Sequence, residues 1–251
     1  MELRRLLILG TRDRKWKPTI AHYFVLLLHR AGKLTRAYIQ NIDGLLDRVG
    51  LPDGLPDDKK VYVHGNMTKV SCESCRAEMD FDEFAEEVEE KIRNIHVHDD
   101  GPKKSTPIEC RVCGEAAVKP RTVLFGSDLS PEFETLKNQD LPNVDLLFLA
   151  GTSLQVGPAN TIPQKAPKSA KRVIVNSEEV GKEIGLEYGP AKTRDDFFAQ
   201  GPCEEVFLEL IMELGWLPDL EEVSRGNLAE TSVELIKCWK GRKSAEPNAE
   251  T

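Results

Sequence analysis

Residues 144–153 read VDLLFLAGTS, an apolar run cut off at once by Gly151-Thr152-Ser153. A short continuous apolar stretch ending in glycine and hydroxyl residues reads as a buried strand. Arg172 to Val175 reads as a second such strand and stops at Asn176-Ser177-Glu178. Arg36 to Gln40 reads as a third, short one, and Gln40-Asn41-Ile42-Asp43-Gly44 begins where it ends. Helical patterns flank these strands. HYFVLLLHRA, residues 22–31, is nearly all apolar and stops at Gly32, a C-terminal cap, while Glu204 to Leu214 is an amphipathic helix stopped by Gly215. The expected class is therefore α/β. Parallel α/β sheets bind ligands at the carboxyl ends of their strands. Three clusters of amide, hydroxyl and carboxylate groups at such ends suit a ribose-containing ligand.

The chain has 251 residues, enough for one good-sized domain or one domain carrying a small inserted module. Its 40% apolar and 30% charged residues describe an ordinary globular protein. No apolar run approaches bilayer length, so no membrane partner is expected. The apolar stretch Leu6–Leu9 is too short for a signal-peptide core, so the expected location is intracellular, cytoplasmic or nuclear. The net charge of −8 is concentrated between Asp80 and Asp100, where nine acids face only Lys91 and Arg93. Such a chain lacks the basic face of a general nucleic-acid binder. The acidic stretch suits either a basic peptide or plain solvation.

Four of the six cysteines form two pairs, Cys72-x-x-Cys75 and Cys110-x-x-Cys113, separated by 34 residues. Zinc prefers four soft thiolates in a closed tetrahedron, and each two-residue gap lets one tight turn present both sulfurs. A redox centre would need only one such pair. A closed site leaves no open coordination position, so the zinc is expected to be structural. Within the gap, Asp80 to Ile95 reads as an amphipathic helix with Asp80 and Glu83 as a capping box. Asp99 to Pro107 and Pro52 to Lys60 read as loops. A weak helix is expected beyond Ser224, and the last dozen residues are expected to be disordered. His64, between a short apolar run and Gly65, is either a structural histidine or a general base.

The ordered set Lys17-Pro18-Thr19-x-Ala21-His22, Gln40-Asn41-Ile42-Asp43-Gly44, His64-Gly65, the paired C-x-x-C, Lys119-Pro120 with Val123-x-Phe125-Gly126, Gly151-Thr152-Ser153-Leu154-x-Val156 and Asn176-x-Glu178 resembles the sirtuins. These are NAD-dependent protein-lysine deacylases, and the likeness is to the class that includes the human cytosolic and nuclear deacetylases. It covers roughly residues 18–216. The resemblance implies a Rossmann-like parallel sheet with a small four-cysteine zinc-binding lobe. It implies NAD and zinc as cofactors and an acyl-lysine protein or peptide as partner. His64 would act as base on a ribose hydroxyl, with Asn41 beside it in the chemistry. Gln40 and Asn41 would position ribose and the attacking groups, and Ile42 and Asp43 would contact the nicotinamide amide. Gly151, Thr152, Ser153, Asn176, Ser177 and Glu178 would hold phosphate and adenosine ribose, and Cys203 would meet the adenine. Val123, Phe125 and Gly126 would line the acyl-lysine tunnel. The zinc cysteines remain Cys72, Cys75, Cys110 and Cys113.

The expected organisation is a sirtuin-like domain over 17–216, with its zinc-binding lobe at about 66–118. Residues 1–16 would be a non-family segment, and 217–251 a partly disordered extension. The family's opening strand, its G-A-G-x-S phosphate loop and its P-D-F-R segment do not occur in these 251 residues. Leu6–Leu9 with Gly10-Thr11 imitates a first strand but offers one glycine, a poor pyrophosphate cradle. The expectation is an N-terminally truncated family domain that deacylates poorly or not at all by itself. The alternative is a catalytically inactive, zinc-containing interaction module.

Overall fold

The computed structural model describes residues 1–97, 100–123, 129, 131–189 and 196–245. In chain order the elements begin with α1 (Arg5–Arg12), α2 (Ile20–Arg30), β1 (Ala37–Ile39), β2 (Lys60–Tyr62), β3 (Gly65–Cys72) and β4 (Glu78–Met79). They continue with α3 (Phe81–Lys91), β5 (Val118–Thr122), α4 (Pro131–Asp140), β6 (Leu146–Ala150) and α5 (Ile162–Lys165). β7 (Lys171–Asn176), β8 (Asp196–Gln200), α6 (Cys203–Glu213), α7 (Leu217–Val223) and α8 (Glu230–Ala245) complete the series. The chain divides into two units. One comprises residues 1–17, 39–45 and 62–129, and the other residues 18–38, 46–61 and 130–251.

The first unit is built on an antiparallel sheet of order β4-β3-β5. Its apolar side chains, Met67, Val70 and Cys72 on β3 with Val118 on β5, cluster with Phe84, Ala85 and Val88 of α3 and with Ile8 of α1. Leu6–Leu9, which imitates a strand in the sequence, is thus helical. A four-residue apolar run fits either state, and here the periodic neighbours Arg5, Ile8 and Arg12 decide for a helix packed on α3. Arg5 is buried and reaches Asp100 at 3.0 Å, and Arg12 reaches Glu89 at 2.6 Å. Asp80 caps α3 by accepting from the amides of Asp82 and Glu83. The Glu83 carboxylate pairs with Arg111, so the cap is one-sided where the sequence suggests a reciprocal box.

β3 is interrupted. Its register with β5 runs Gly65 to Thr122 and Asn66 to Arg121, then resumes at Val70 with Pro120. Met67, Thr68 and Lys69 therefore bulge from the ladder, which removes the period-2 pattern a sequence reading relies on.

The second unit contains a parallel sheet of order β6-β7-β8. Both faces are covered, as parallel sheets require. On one, Phe24 of α2 stacks on Phe207 of α6 at 4.7 Å and meets Phe148 of β6 edge-on at 5.5 Å. On the other, Leu149 and Ile174 cluster with Leu154 and Leu186. Thr19 and His22 form a reciprocal capping box at the start of α2, the Thr19 amide donating to His22 Nδ1 at 3.1 Å. Arg172 on β7 and Asp196 on β8, opposite each other in register, form a buried ion pair in which Arg172 Nε donates to Asp196 Oδ1 at 2.6 Å. The Gly185 carbonyl and the Glu187 amide complete their hydrogen bonds at 2.9 and 2.8 Å.

One expectation needs correcting. The strand that precedes Gln40 is not the third member of the parallel sheet among the described residues. β1 pairs with β2 in a separate two-stranded sheet, and the third parallel strand is β8. β8 (DFFAQ) is too short and too charged at its start to stand out, because hydropathy cannot reveal that Asp196 is neutralised by Arg172. α8 runs to Ala245, into the stretch expected to be a disordered tail.

Candidate functional site

In the first unit the two C-x-x-C turns are built alike. The Arg76 amide donates to the Cys72 carbonyl at 3.0 Å, and the Gly114 amide donates to the Cys110 carbonyl at 2.8 Å. Arg76 and Gly114 occupy the same place in each turn, and both are left-handed, with φ 67° and 74°. The amides of Cys75 and Ser74 point at the Cys72 sulfur and lower its pKa; those of Cys113 and Val112 lower that of Cys110 to about 6. The first cysteine of each turn is thus favoured as a thiolate, whereas burial and the neighbouring sulfurs push the Cys113 thiol up. Cys72 and Cys113 sulfurs lie 3.7 Å apart and those of Cys75 and Cys110 3.6 Å apart, with all four within 4.8 Å of one another. Sulfurs about 2.3 Å from a central zinc lie about 3.8 Å apart in a tetrahedron. The donor set fits zinc, and four ligands close the site.

His64 occupies the turn between β2 and β3 and is half-buried. Its Nδ1 lies 2.9 Å from the Gln40 carbonyl oxygen. A carbonyl only accepts, so Nδ1 carries the proton and Nε2 of the neutral ring keeps a lone pair. Gly65 allows this turn to close: a Cβ there would lie 2.1 Å from the Arg121 carbonyl oxygen, and φ is 78°. The His64 carbonyl accepts from the Val123 amide at 2.9 Å, which brings one expected tunnel residue to the backbone of His64. In the Gln40–Gly44 loop, the Asp43 carboxylate accepts from the Leu45 amide at 3.0 Å, and Asn41 is exposed. Phe125 and Gly126 lie outside the described residues.

In the second unit, the clusters Gly151-Thr152-Ser153 and Asn176-Ser177-Glu178 follow directly on β6 and β7, and Cys203 opens α6 after β8. Gly151, Ser153, Ser177 and Glu178 are exposed. Gly151 has φ 60° and donates to the Val175 carbonyl at 3.0 Å, and a Cβ there would sit 3.4 Å from the Cys203 sulfur. Thr152 Oγ1 accepts from the Leu154 amide at 3.2 Å, so it shapes the turn as a capping residue would. The Cys203 thiol donates to the Val175 carbonyl at 3.5 Å, and burial pushes its pKa up. Gln200, absent from the sequence reading, belongs to this rim: its side chain donates to the Ser177 carbonyl at 3.3 Å. Its place at a strand end became visible only with β8.

The two units thus define an α/β protein with a closed four-thiolate centre, a histidine held by the Gln40–Gly44 loop, and hydroxyl and carboxylate groups at the carboxyl rim of a parallel sheet. The Sir2 family model matches residues 7–158, and the chain belongs to the Sir2 family. It is 33% identical over 210 residues to the NAD-dependent deacetylase sir2A of Dictyostelium discoideum, covering 83% of this chain and 38% of that protein. It is 30% identical over 243 residues to the NAD-dependent protein deacetylase hst2-2 of Emericella nidulans, covering 96% and 62%. With the NAD-dependent protein deacetylase sirtuin-2 of Danio rerio it shares 32% identity over 221 residues, covering 83% and 53%. The chain therefore spans 38 to 62% of the length of these relatives.

Proposed function

We propose that this chain carries NAD-dependent protein-lysine deacylase chemistry, with an acyl-lysine protein or peptide as substrate. The observation that carries the reading is the 2.9 Å contact of His64 Nδ1 with the Gln40 carbonyl. It leaves Nε2 as a base beside the loop that presents Asn41, Ile42 and Asp43. When bound, NAD supplies an activated C–N bond to nicotinamide and a ribose whose hydroxyl can take the acyl group. His64 would accept the proton of that hydroxyl, and Gln40 and Asn41 would orient the ribose. The exposed Ser153, Ser177 and Glu178, with Gly151, Thr152, Asn176 and Cys203, would hold phosphate and the adenosine end. Gly151 supports this, since its left-handed backbone and absent Cβ leave the rim open. Val123, Phe125 and Gly126 would line the acyl-lysine channel. Zinc on Cys72, Cys75, Cys110 and Cys113 would hold its own unit together without touching the chemistry.

We further assign residues 17–216 to the catalytic domain and about 66–118 to its zinc lobe, with 1–16 and 217–251 as flanking segments, in an intracellular protein of the nucleus or cytoplasm. No helix of the described residues is long and apolar enough to cross a membrane.

The test is calorimetric NAD binding and nicotinamide release with an acetyl-lysine peptide, using the native 251-residue chain. His64→Ala should lower turnover by about 100-fold or more, the usual share of a general base. Asn41→Ala should weaken NAD binding. Peptide binding by a chain that neither binds NAD nor releases nicotinamide would overturn the reading in favour of an interaction module.

A further inference from the structure

The Gln40–Gly44 loop is held at alternate residues by one short stretch of β3 and the turn before it. His64 Nδ1 donates to the Gln40 carbonyl at 2.9 Å. The Met67 amide donates to the Ile42 carbonyl, also at 2.9 Å. Gly44 lies against Asn66 and Thr68 so closely that a Cβ would meet Thr68 Cγ2 at 2.9 Å and Asn66 Oδ1 at 3.0 Å. Met67 and Thr68 belong to the bulge, where β3 leaves β5 between Asn66 and Val70. Bulges re-aim backbone groups beside functional sites, and this one turns an amide toward the loop.

What closes the bulge is Asn66. It is only 4% exposed. Its Oδ1 accepts from both the amide and the hydroxyl of Thr68, each at 2.9 Å. A buried amide oxygen with two donors fixes both the turn and the wall on which Gly44 rests. We infer that Asn66 is a positioning residue: by closing the β3 bulge it holds the Gln40–Gly44 loop in register with His64. Its effect on catalysis rests on the deacylase reading; its effect on the loop does not.

The experiment uses amide-resolved hydrogen exchange and nicotinamide-release kinetics on the full chain with zinc bound. Asn66→Leu keeps the branching and heavy-atom count of the side chain and removes the acceptor, whereas Asn66→Asp keeps an acceptor for both Thr68 donors. In Asn66→Leu the Met67 and Leu45 amides should exchange about tenfold faster or more while Val88 of α3 keeps its protection, because only local opening is made easier. Asn66→Asp should restore most of that protection. In Asn66→Leu kcat should fall about tenfold with KM for the peptide unchanged, as for a group that acts on the reacting geometry rather than on binding. Unchanged Met67 and Leu45 exchange in Asn66→Leu, or equal exchange in the Leu and Asp variants, would overturn the inference. Should Asn66→Leu lose zinc and unfold, Thr68→Val removes the hydroxyl donor alone. Its Met67 amide should still exchange about threefold faster, and no change there is equally fatal. A native chain without turnover would sink the deacylase reading and leave the exchange arm to judge the bulge.

Discussion

The two units reach order by different routes. The sheet of the first is two long partners and a two-residue strand, and its core draws on the metal-site cysteines themselves: Cys72 and Cys110 are buried with Phe84, Val88 and Val118. The second keeps its core free of such ligands. A parallel sheet packs the Phe24, Phe148 and Phe207 rings on one face and the Leu149, Leu154, Ile174 and Leu186 cluster on the other. Small cores need staples, whereas a parallel sheet packed on both faces obtains order from burial and from the charge pair within it. The same reagent should therefore act on the two units very unequally.

Zinc removal is the strongest way to break that contrast. With a chelator, or in Cys110→Ser, amides of β3 and β5 should lose exchange protection while those of β6 and β7 keep theirs, since a structural metal site contributes to folding directly. Simultaneous loss in both units would show one cooperative body. Next in size is the reverse perturbation. Asp196→Ala strands the buried Arg172 charge and should cost about 3–5 kcal/mol by chemical denaturation, with zinc content unchanged. A smaller effect belongs to the helix start in the second unit. His22→Ala removes one half of the capping box and should cost about 1 kcal/mol, read as a lower thermal midpoint. The smallest compares the two zinc turns within one unit. Arg76→Gly relieves a left-handed arginine and should stabilise by roughly 0.5–1 kcal/mol, and Gly114→Ala should destabilise by a similar amount. Nothing lies within 4 Å of a Cβ at Gly114, so backbone strain alone would carry the second change. Changes of the same sign in the two variants would remove the proposed equivalence of the turns.

Much of this was open to reading from the residues. The zinc ligands follow from spacing, since C-x-x-C fixes local geometry wherever the two halves lie. α2, α3, β6 and β7 follow from continuous or periodic hydropathy, and both residue sets of the candidate site follow from polar clusters at strand ends. The rest depends on contacts distant in sequence. Leu6–Leu9 is helical because Ile8 packs on α3, and no local signal separates that from a strand. β3 hides behind its own bulge. Asn66 looks like an ordinary polar residue after His64-Gly65, and only its two bonds to Thr68 reveal its task. α4 carries little periodicity to find, while α8 lies where a weak helix is expected beyond Ser224.

The Arg172–Asp196 pair has a meaning beyond the strength of its bonds. Because side chains alternate along a strand, sliding β8 by one residue against β7 would move Asp196 to the opposite face and leave both charges dry and unmatched. The pair works as an alignment mark that admits one setting of the two strands. Its influence is felt at the far end, where Asn176 stands level with Gln200, four residues on and roughly 13 Å away at about 3.3 Å per residue. The evenness of the polar rim is therefore set by a charge match that no ligand need ever touch.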